Sequence, residues 1–530
     1  MSTLLSFSKR FGLLLAFLSI CATSQVQAQD NDQHPNIILI NADDLGYGDL
    51  SCYGATQVST PNIDRLAAEG RRFTDAHSTS AVCSPSRYGL LTGRYPLRKN
   101  FWGPAGLREP LTIDTGFTTL ASLLDAAGYE TAIIGKWHLG FGTDEPNWNG
   151  ALKPGPLELG FDYYFGTPTV NSGPPYVYVE NHHVVGLDPK DPFEYRKESV
   201  TKKYPEKGGY TGIGGADDAH RLYVDDMIGT TLKDKALEWL DHQRQDRPFF
   251  LYFSTTNIHH PFTPAPQFVG TSDCGLYGDF IHELDWMVGE ILNKLDEKQF
   301  TQNTLVIFTS DNGGMLHVTG QKAWSAGHRM NGKLLGYKFG AWEGGHRVPF
   351  LARWPGKIPA QSISTHLISQ VDLLATFAAI VDQPLEEGQG LDSINQVANF
   401  KEDLEEPIRK NLVITPNSPM HLSVRKDKWV YIPLQGSGGF QGKKAGDHLL
   451  AGPPALKFAG RTNSDITDGA YRPDAPQAQL YNLETDPFQS TNVITEYPEK
   501  AEELAALLMR YKQAIPDSSP LGWINLKQQN

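Results

Sequence analysis

Four short apolar runs constrain the fold of this chain more than any other feature. They are Asn36–Ile40, Glu130–Ile134, Pro248–Ser254 and Asn303–Ser310, the last two reading PFFLYFS and NTLVIFTS. Each is too short for a buried helix and lacks the in–out alternation of a strand with one wet face, so each reads as a strand covered on both sides. Helical patterns lie between them. Thr60–Gly70 has visible ends, with Thr60 placed to cap, Pro61 suited to the first turn and Gly70 to the exit. Thr118–Ala127 is closed by Gly128, and Asp218–His242 carries one long helical period. Strands alternating with helices over residues 30 to 400 predict an α/β fold, a mostly parallel sheet flanked by helices.

The pattern changes near residue 400. Leu422–Leu434 reads as a strand pair or one bent strand, Leu480–Leu483 as a short strand, and Glu499–Ile515 as an amphipathic helix. Gly436–Gly469, rich in Gly, Lys and Pro, reads as a long loop. The expected division is a leader over 1–28, a catalytic α/β domain over 29–400 and a smaller α+β domain over 401–530. The leader rests on a basic pair, Lys9 and Arg10, an apolar run from Phe11 to Cys21, and small residues at Val26-Gln27-Ala28 where a signal peptidase would cut. Export, to the periplasm or outside the cell, is the expectation. Leu18-Ser19-Ile20-Cys21 loosely resembles a lipid-attachment motif, but Ile20 stands where Gly or Ala belongs, so ordinary secretion ranks ahead of lipid anchoring. No later run is long enough to span a bilayer. Past the leader, Cys52, Cys83 and Cys274 are an odd number, so no disulfide framework is expected and at least one thiol is left over.

Chemistry collects just after the strands. Asp43 and Asp44 follow the first, Lys136 and His138 the second, His259 and His260 the third, and Asp311 and Asn312 the fourth. In a parallel sheet those carboxyl ends share one edge, where ligands bind. Any one of these residues would ordinarily be a helix cap, a turn former or a solvated side chain; their convergence is the signal. Asp43, Asp44, Asp311 and Asn312 offer only oxygens, which suits a hard divalent cation such as Ca²⁺ or Mg²⁺ and not Zn²⁺. Three carboxylates at one edge would repel one another without it. Lys and Arg number 47 against 60 Asp and Glu, a net −13, which argues against a nucleic-acid binder but permits a local cationic pocket for a small anion. Cys83 precedes Ser84-Pro85-Ser86-Arg87; Pro85 fits a first helical turn with Ser84 a possible cap, which puts the thiol at a helix N-terminus. A buried structural thiol is the ordinary alternative.

The string C-S-P-S-R at 83–87, followed by L-L-T-G-R at 90–94, resembles the signature of the formylglycine-dependent type I sulfatases. So do N-A-D-D-L-G at 41–46, T-P-N-I-D-R-L at 60–66, G-K-W-H-L-G at 135–140, S-D-N-G-G at 310–314, W-E-G-G-H-R-V-P at 342–349 and L-Y-N-L-E-T-D-P at 480–487. The resemblance spans nearly the whole chain past the leader. It implies an alkaline-phosphatase-like α/β domain with a smaller C-terminal α+β domain. It implies that a separate formylglycine-generating enzyme oxidises Cys83 to an aldehyde whose hydrate is the nucleophile, held by Arg87. Asp43, Asp44, Asp311 and Asn312 match the family's calcium ligands, with the group at Cys83 completing the shell of one ion. Lys136 and His138 match the K-x-H pair beside the nucleophile, His259 the H-x-P histidine, and Lys338 the lysine ahead of E-G-G. His260 and Lys333 are the neighbours with which the last two could be confused.

On that resemblance one hydroxyl of the hydrate attacks sulfur in line, and Ca²⁺, Lys136 and Lys338 offset the charge as it redistributes. His259 protonates the departing alcohol, and the second hydroxyl collapses back to the aldehyde, expelling sulfate. A sulfated carbohydrate is the expected substrate, with no nucleic-acid partner and no stable membrane insertion. Selectivity is expected in loops 98–108, 171–183 and 316–333, which mix cations with aromatics: Arg98, Trp102, Arg108, Tyr176, His182, His183, Lys322, Trp324, His328 and Arg329. Two alternatives stand beside this reading, a phosphoester or phosphonate hydrolase of the same superfamily and a catalytically silent binder of sulfated glycan.

Overall fold

The computed structural model describes residues 34–201, 211–440, 443–447 and 449–524. The leader read over 1–28 lies outside the described residues. The main sheet is built from β1 (Asn36–Ala42), β2 (Arg71–Phe73), β3 (Glu130–Gly135), β4 (Tyr163–Gly166), β5 (Val179–Glu180), β6 (His183–Val184), β7 (Phe249–Ser254), β8 (Thr304–Ser310), β9 (Phe350–Arg353) and β10 (Ser362–Ser364). Their order is β10-β2-β9-β8-β1-β7-β3-β4-β5-β6. The four central strands, β8-β1-β7-β3, are the four apolar runs, and all pair in parallel.

Successive side chains on these strands point to opposite faces, and both faces are buried. Ile37, Leu39, Ile133, Phe250, Tyr252 and Ile307 join one core with Leu90 and Leu91 of α2 (Cys83–Thr92), Leu120 of α3 (Leu120–Ala126) and Phe377 of helix Leu373–Ile380. Ile38, Ile40, Ile134, Leu251, Phe253 and Phe308 join the other, under α1 (Pro61–Glu69), helix Ile228–Asp241 and the 22-residue helix Leu276–Glu297. Continuous apolarity in the sequence therefore reflects two covering layers. A fully buried Ile, Leu or Phe contributes roughly 1.5–3 kcal/mol, so these strands carry much of the fold.

The helix read over 218–242 is two helices, Asp217–Leu222 and Ile228–Asp241. Tyr223 leaves helical geometry, and its ring packs 5.8 Å from Tyr176 and 5.5 Å from Tyr178. Tertiary packing outweighs the local period there. The loop read over 436–469 holds a 3₁₀ turn at Pro453–Phe458 and a short strand at Ile466–Thr467. A second, antiparallel sheet orders Asn411–Ile414, Ser423–Lys426, Trp429–Ile432 and Gln479–Asn482, with helix Pro498–Lys512 against it. Cys52, Cys83 and Cys274 are all free. Among the described residues no helix is long and apolar enough to cross a membrane.

A buried charge network docks the second sheet. Arg425 grips Asp75 through both terminal nitrogens, at 2.8 and 2.7 Å. His77 Nε2 sits 2.9 Å from Asp75, and His77 Nδ1 lies 2.9 Å from His346 Nδ1. Burial alone would raise the Asp75 carboxyl, but Arg425, Arg347 and His77 hold it well below the usual carboxylate range. Asp75→Asn is expected to cost about 3–5 kcal/mol at neutral pH, because it leaves buried guanidinium charge uncompensated. A depressed carboxyl pKa stabilises above the unfolded value of about 3.9, and that contribution is lost as pH falls through the folded value. The gap between wild type and Asp75→Asn should therefore narrow on acidification, which denaturant midpoints measured at several pH values would show.

Candidate active site

The parallel register aligns the ends of the four central strands. Ala42 pairs with Ser310, Asn41 with Ser254, and Ser254 with Gly135, so the residues that follow leave the sheet at one level. Gly135 is required there. Its φ is +125°, and a Cβ would fall 1.8 Å from the Ser254 carbonyl oxygen. Asp43, Asp44, Lys136, His138, His259, Asp311 and Asn312 are thus brought together and buried. Asp44 and His138 have φ of 61° and 59°, a left-handed backbone costing a non-glycine residue on the order of 1 kcal/mol or more.

Cys83 is the first residue of α2, and Val82, not Ser84, is the N-cap. Ser84 instead accepts a hydrogen bond from the Ala105 amide at 2.9 Å, so its hydroxyl is committed to tying down the 100–105 loop. The Cys83 thiol is raised by burial and lowered in turn by Lys136 and Lys338. One turn on, Arg87 donates to Asp311 Oδ2 from Nε at 3.0 Å and from Nη2 at 2.7 Å. It also donates to the Lys136 carbonyl at 3.3 Å and to the Ser254 hydroxyl, and it lies 3.7 Å from Asp43.

Two lysines take the other carboxylates. Lys136 Nζ is 2.7 Å from Asp43 Oδ2, and Lys338 Nζ is 2.6 Å from Asp44 Oδ1. Lys333 is exposed, whereas Lys338 is buried at the site. His259 Nε2 lies 3.7 Å from Asp44 Oδ2, while its Nδ1 meets the His260 carbonyl at 2.7 Å and Asn171 Oδ1 at 3.0 Å. A carbonyl can only accept, so Nδ1 carries the proton and Nε2 is bare. His138 Nε2 meets the Ala105 carbonyl at 3.0 Å, which likewise leaves Nδ1 bare, and that atom has no partner. Burial, then nearby cations including Lys136 and Lys338, hold both imidazoles well below their usual pKa and therefore neutral.

Three buried oxygens here accept no hydrogen bond: Asp43 Oδ1, Asp44 Oδ2 and Asn312 Oδ1. Buried acceptors are normally satisfied. Ligand oxygens of Asp43, Asp44 and Asp311 lie within 4.8 Å of one another. An all-oxygen set with unpaired acceptors fits a hard divalent cation. Three carboxylates face three cations, Arg87, Lys136 and Lys338; a divalent ion would turn this balance into a positive pocket for an anion. The cluster of His77, Glu343 and His346 also has metal-ligand spacing. There the two imidazoles bond each other directly and Arg347 pairs with Glu343 at 3.1 Å, which meets the carboxylate's charge, though Glu343 Oε1 also accepts no hydrogen bond.

Sequence reading missed Ser254, whose hydroxyl donates to the Lys136 carbonyl, and Asn171, which holds His259. Ser254 closes its strand at the level of Gly135, a register signal readable only once pairing is known. Several aromatics and cations read as substrate contacts are committed elsewhere. Trp102 is fully buried, Arg98 forks onto Asp392 at 2.7 Å, and Tyr176 is buried. His328 is buried 2.6 Å from Asp49, and His182 pairs with Glu158. Arg108 pairs with Glu145 and stacks on Tyr195, and Arg329 stacks on Trp324.

Comparison with known proteins adds identity to this geometry. The family model described as Sulfatase matches residues 35–382. The chain is 38% identical over 527 residues to an N-acetylgalactosamine-6-O-sulfatase of Bacteroides thetaiotaomicron, covering 94% of this chain and 97% of that protein. It is 30% identical over 504 residues to the N-acetylgalactosamine-6-sulfatase of Homo sapiens, covering 92% and 87%. A solved structure concerned with metabolism of multiple glycosaminoglycans by Bacteroides thetaiotaomicron matches at TM-score 0.78 and 37% identity, covering 91% of this chain and all of that one.

Proposed function

The chain belongs to the sulfatase family and is a sulfuric ester hydrolase, and on that premise we propose that it removes sulfate from the 6-position of a galactosamine unit in a sulfated glycan. The reading extends to a formylglycine made at Cys83 by a separate maturing enzyme, to one Ca²⁺ ion held by Asp43, Asp44, Asp311 and Asn312 beside Cys83, and to export of the protein. The sugar and its position are supported by the relatives named above, and the formylglycine and ion by the burial of Cys83 at the start of α2 beside Lys136 and Lys338, near carboxylates with unpaired oxygens.

When present, the aldehyde supplies a nucleophile that regenerates itself, and the ion supplies positive field on the sulfate oxygens. The chain's own residues do the rest. Lys136 and Lys338, fixed by Asp43 and Asp44, bind the ester's charged oxygens and hold them as charge builds in the transition state. Arg87, locked onto Asp311, orients the group at position 83 one helical turn away. His138 Nδ1 is a bare acceptor with its ring fixed by Ala105. His259 Nε2 is bare in the absence of substrate; an arriving sulfate anion favours its protonation, and the imidazolium then gives that proton to the leaving alcohol. Asn171 and the His260 carbonyl keep the ring aimed while this happens.

The test is release of sulfate from defined oligosaccharides by protein whose Cys83 peptide shows an aldehyde mass. A galactosamine 6-sulfate oligosaccharide should be turned over, and its 4-sulfated isomer at least roughly a hundredfold more slowly, since a misplacement of about 1 Å can already cost that much and the two ester positions lie further apart than that. Equal rates would sink the positional reading, and faster hydrolysis of the matching 6-phosphate ester than of the 6-sulfate would favour the phosphoester alternative.

A further inference from the structure

The last described residues of the chain pack on the 100–105 loop, which also contacts the site. Trp523 exposes 56% of its surface, although burying an indole is favourable. The segment is held by its backbone. The Leu521 amide donates to the Asn100 carbonyl at 2.8 Å, the Leu521 carbonyl accepts from Trp102 at 3.2 Å, and the Trp523 amide donates to Pro104 at 3.2 Å. Asn417 Nδ2 donates to the Trp523 carbonyl at 3.0 Å. Gly103 has no room for a side chain, because a Cβ would fall 1.9 Å from the Trp523 oxygen. The loop that pins Trp523 is also the loop that serves the site, since Ala105 bonds Ser84 through its amide and His138 through its carbonyl.

The indole is positioned as well as the backbone. It stacks on Phe440 at 4.8 Å with 29° between the planes, and Phe440 meets Phe339 edge-on at 4.7 Å. Phe339 adjoins Lys338, whose ammonium lies 5.3 Å from the ring centroid, and Phe339 and Phe440 share a small core with Val82, the residue before Cys83. Phe339 has φ of 78°, in the left-handed region, so this step of the ladder is held at a backbone cost. An aromatic ladder thus runs from the candidate catalytic lysine to an exposed indole two ring spacings beyond Phe339.

We propose that Trp523 is a specificity-determining residue, a stacking platform for a sugar ring one or two units along the glycan from the sulfated sugar. The proposal rests on the glycan reading above. An indole face suits the C–H face of a pyranose, and a platform fixed beforehand loses little freedom on binding. An aryl sulfate is too short to use it.

The test compares kcat/KM on a galactosamine 6-sulfate tetrasaccharide with kcat/KM on 4-methylumbelliferyl sulfate. In Trp523→Ala the ratio of the first to the second should fall roughly tenfold, through KM, with Trp523→Phe losing much less. A parallel arm measures tetrasaccharide binding calorimetrically in the Cys83→Ala background, where Trp523→Ala should weaken Kd by about the same factor. An unchanged ratio with unchanged Kd overturns the proposal, and so does an equal loss on both substrates, which would mark Trp523 as structural. If matured wild type cleaves neither substrate yet the binding difference stands, the galactosamine 6-sulfate reading fails and the platform survives. If neither protein binds, the platform fails with it.

Discussion

Cys83→Ala is expected to abolish sulfate release while leaving the fold intact. Losing a nucleophile from a preorganised site costs on the order of 10⁴-fold or more in turnover, leaving only what binding and charge stabilisation contribute. The structural cost is small by comparison. Cys83 packs at the start of α2, where Val82 remains the N-cap and Arg87 keeps both bonds to Asp311 whatever stands at position 83. Removing one sulfur from a packed site costs about 1 kcal/mol, within the range of ordinary point mutations. The thermal midpoint should fall by a few degrees at most, and binding of a sulfated oligosaccharide should persist. The measurement is sulfate release alongside a melting curve on the same preparation. Retained turnover in Cys83→Ala would remove this residue from the chemistry, and with it the reading of Arg87 as its holder.

The central sheet was legible because its strands are buried on both faces, so their sequence is apolar without interruption. The site's position was legible for the same reason: parallel strands with known ends place Asp43, Lys136, His259 and Asp311 along one edge before any coordinate is known. Other features depend on contacts between distant segments. The break at Tyr223 follows from rings at Tyr176 and Tyr178, far off in sequence. The N-cap is Val82 and not the expected Ser84, whose backbone is already helical and whose hydroxyl instead accepts from Ala105. Trp102 looked like a substrate aromatic in its loop, yet it is enclosed by residues of the second sheet and of helix Pro498–Lys512. Trp523 is not legible as a binding residue in the sequence, because it follows the final helix with no period around it. Spacing reports which face a residue takes within its own element; it is silent on which distant segment covers that face.

Removing divalent cations should both stop turnover and lower stability, and returning Ca²⁺ should restore both. Asp43, Asp44 and Asp311 each already face a cation of the protein, which is why the carboxylates can be buried together at all. Yet those contacts leave Asp43 Oδ1, Asp44 Oδ2 and Asn312 Oδ1 without a donor. An unsatisfied buried acceptor costs about 1–3 kcal/mol, more when charged, so an ion reaching all three would relieve a penalty present without it. A ligand that binds only the folded state stabilises by about 4 kcal/mol at a thousand times its Kd. Saturating Ca²⁺ should therefore raise the thermal midpoint by several degrees over protein in chelator. Mg²⁺, which demands a smaller and more regular shell, should raise it less. The same shift should be absent from Asp43→Asn, where the charge that would hold the ion is reduced while the side chain's size is kept. Lys136 would then face a neutral amide, and Asp43→Asn should lose turnover even in excess Ca²⁺. A melting curve insensitive to both chelator and Ca²⁺, together with full turnover in chelator, would show that the three lysine and arginine side chains alone balance the site. In that case the unpaired oxygens would have to be met by water.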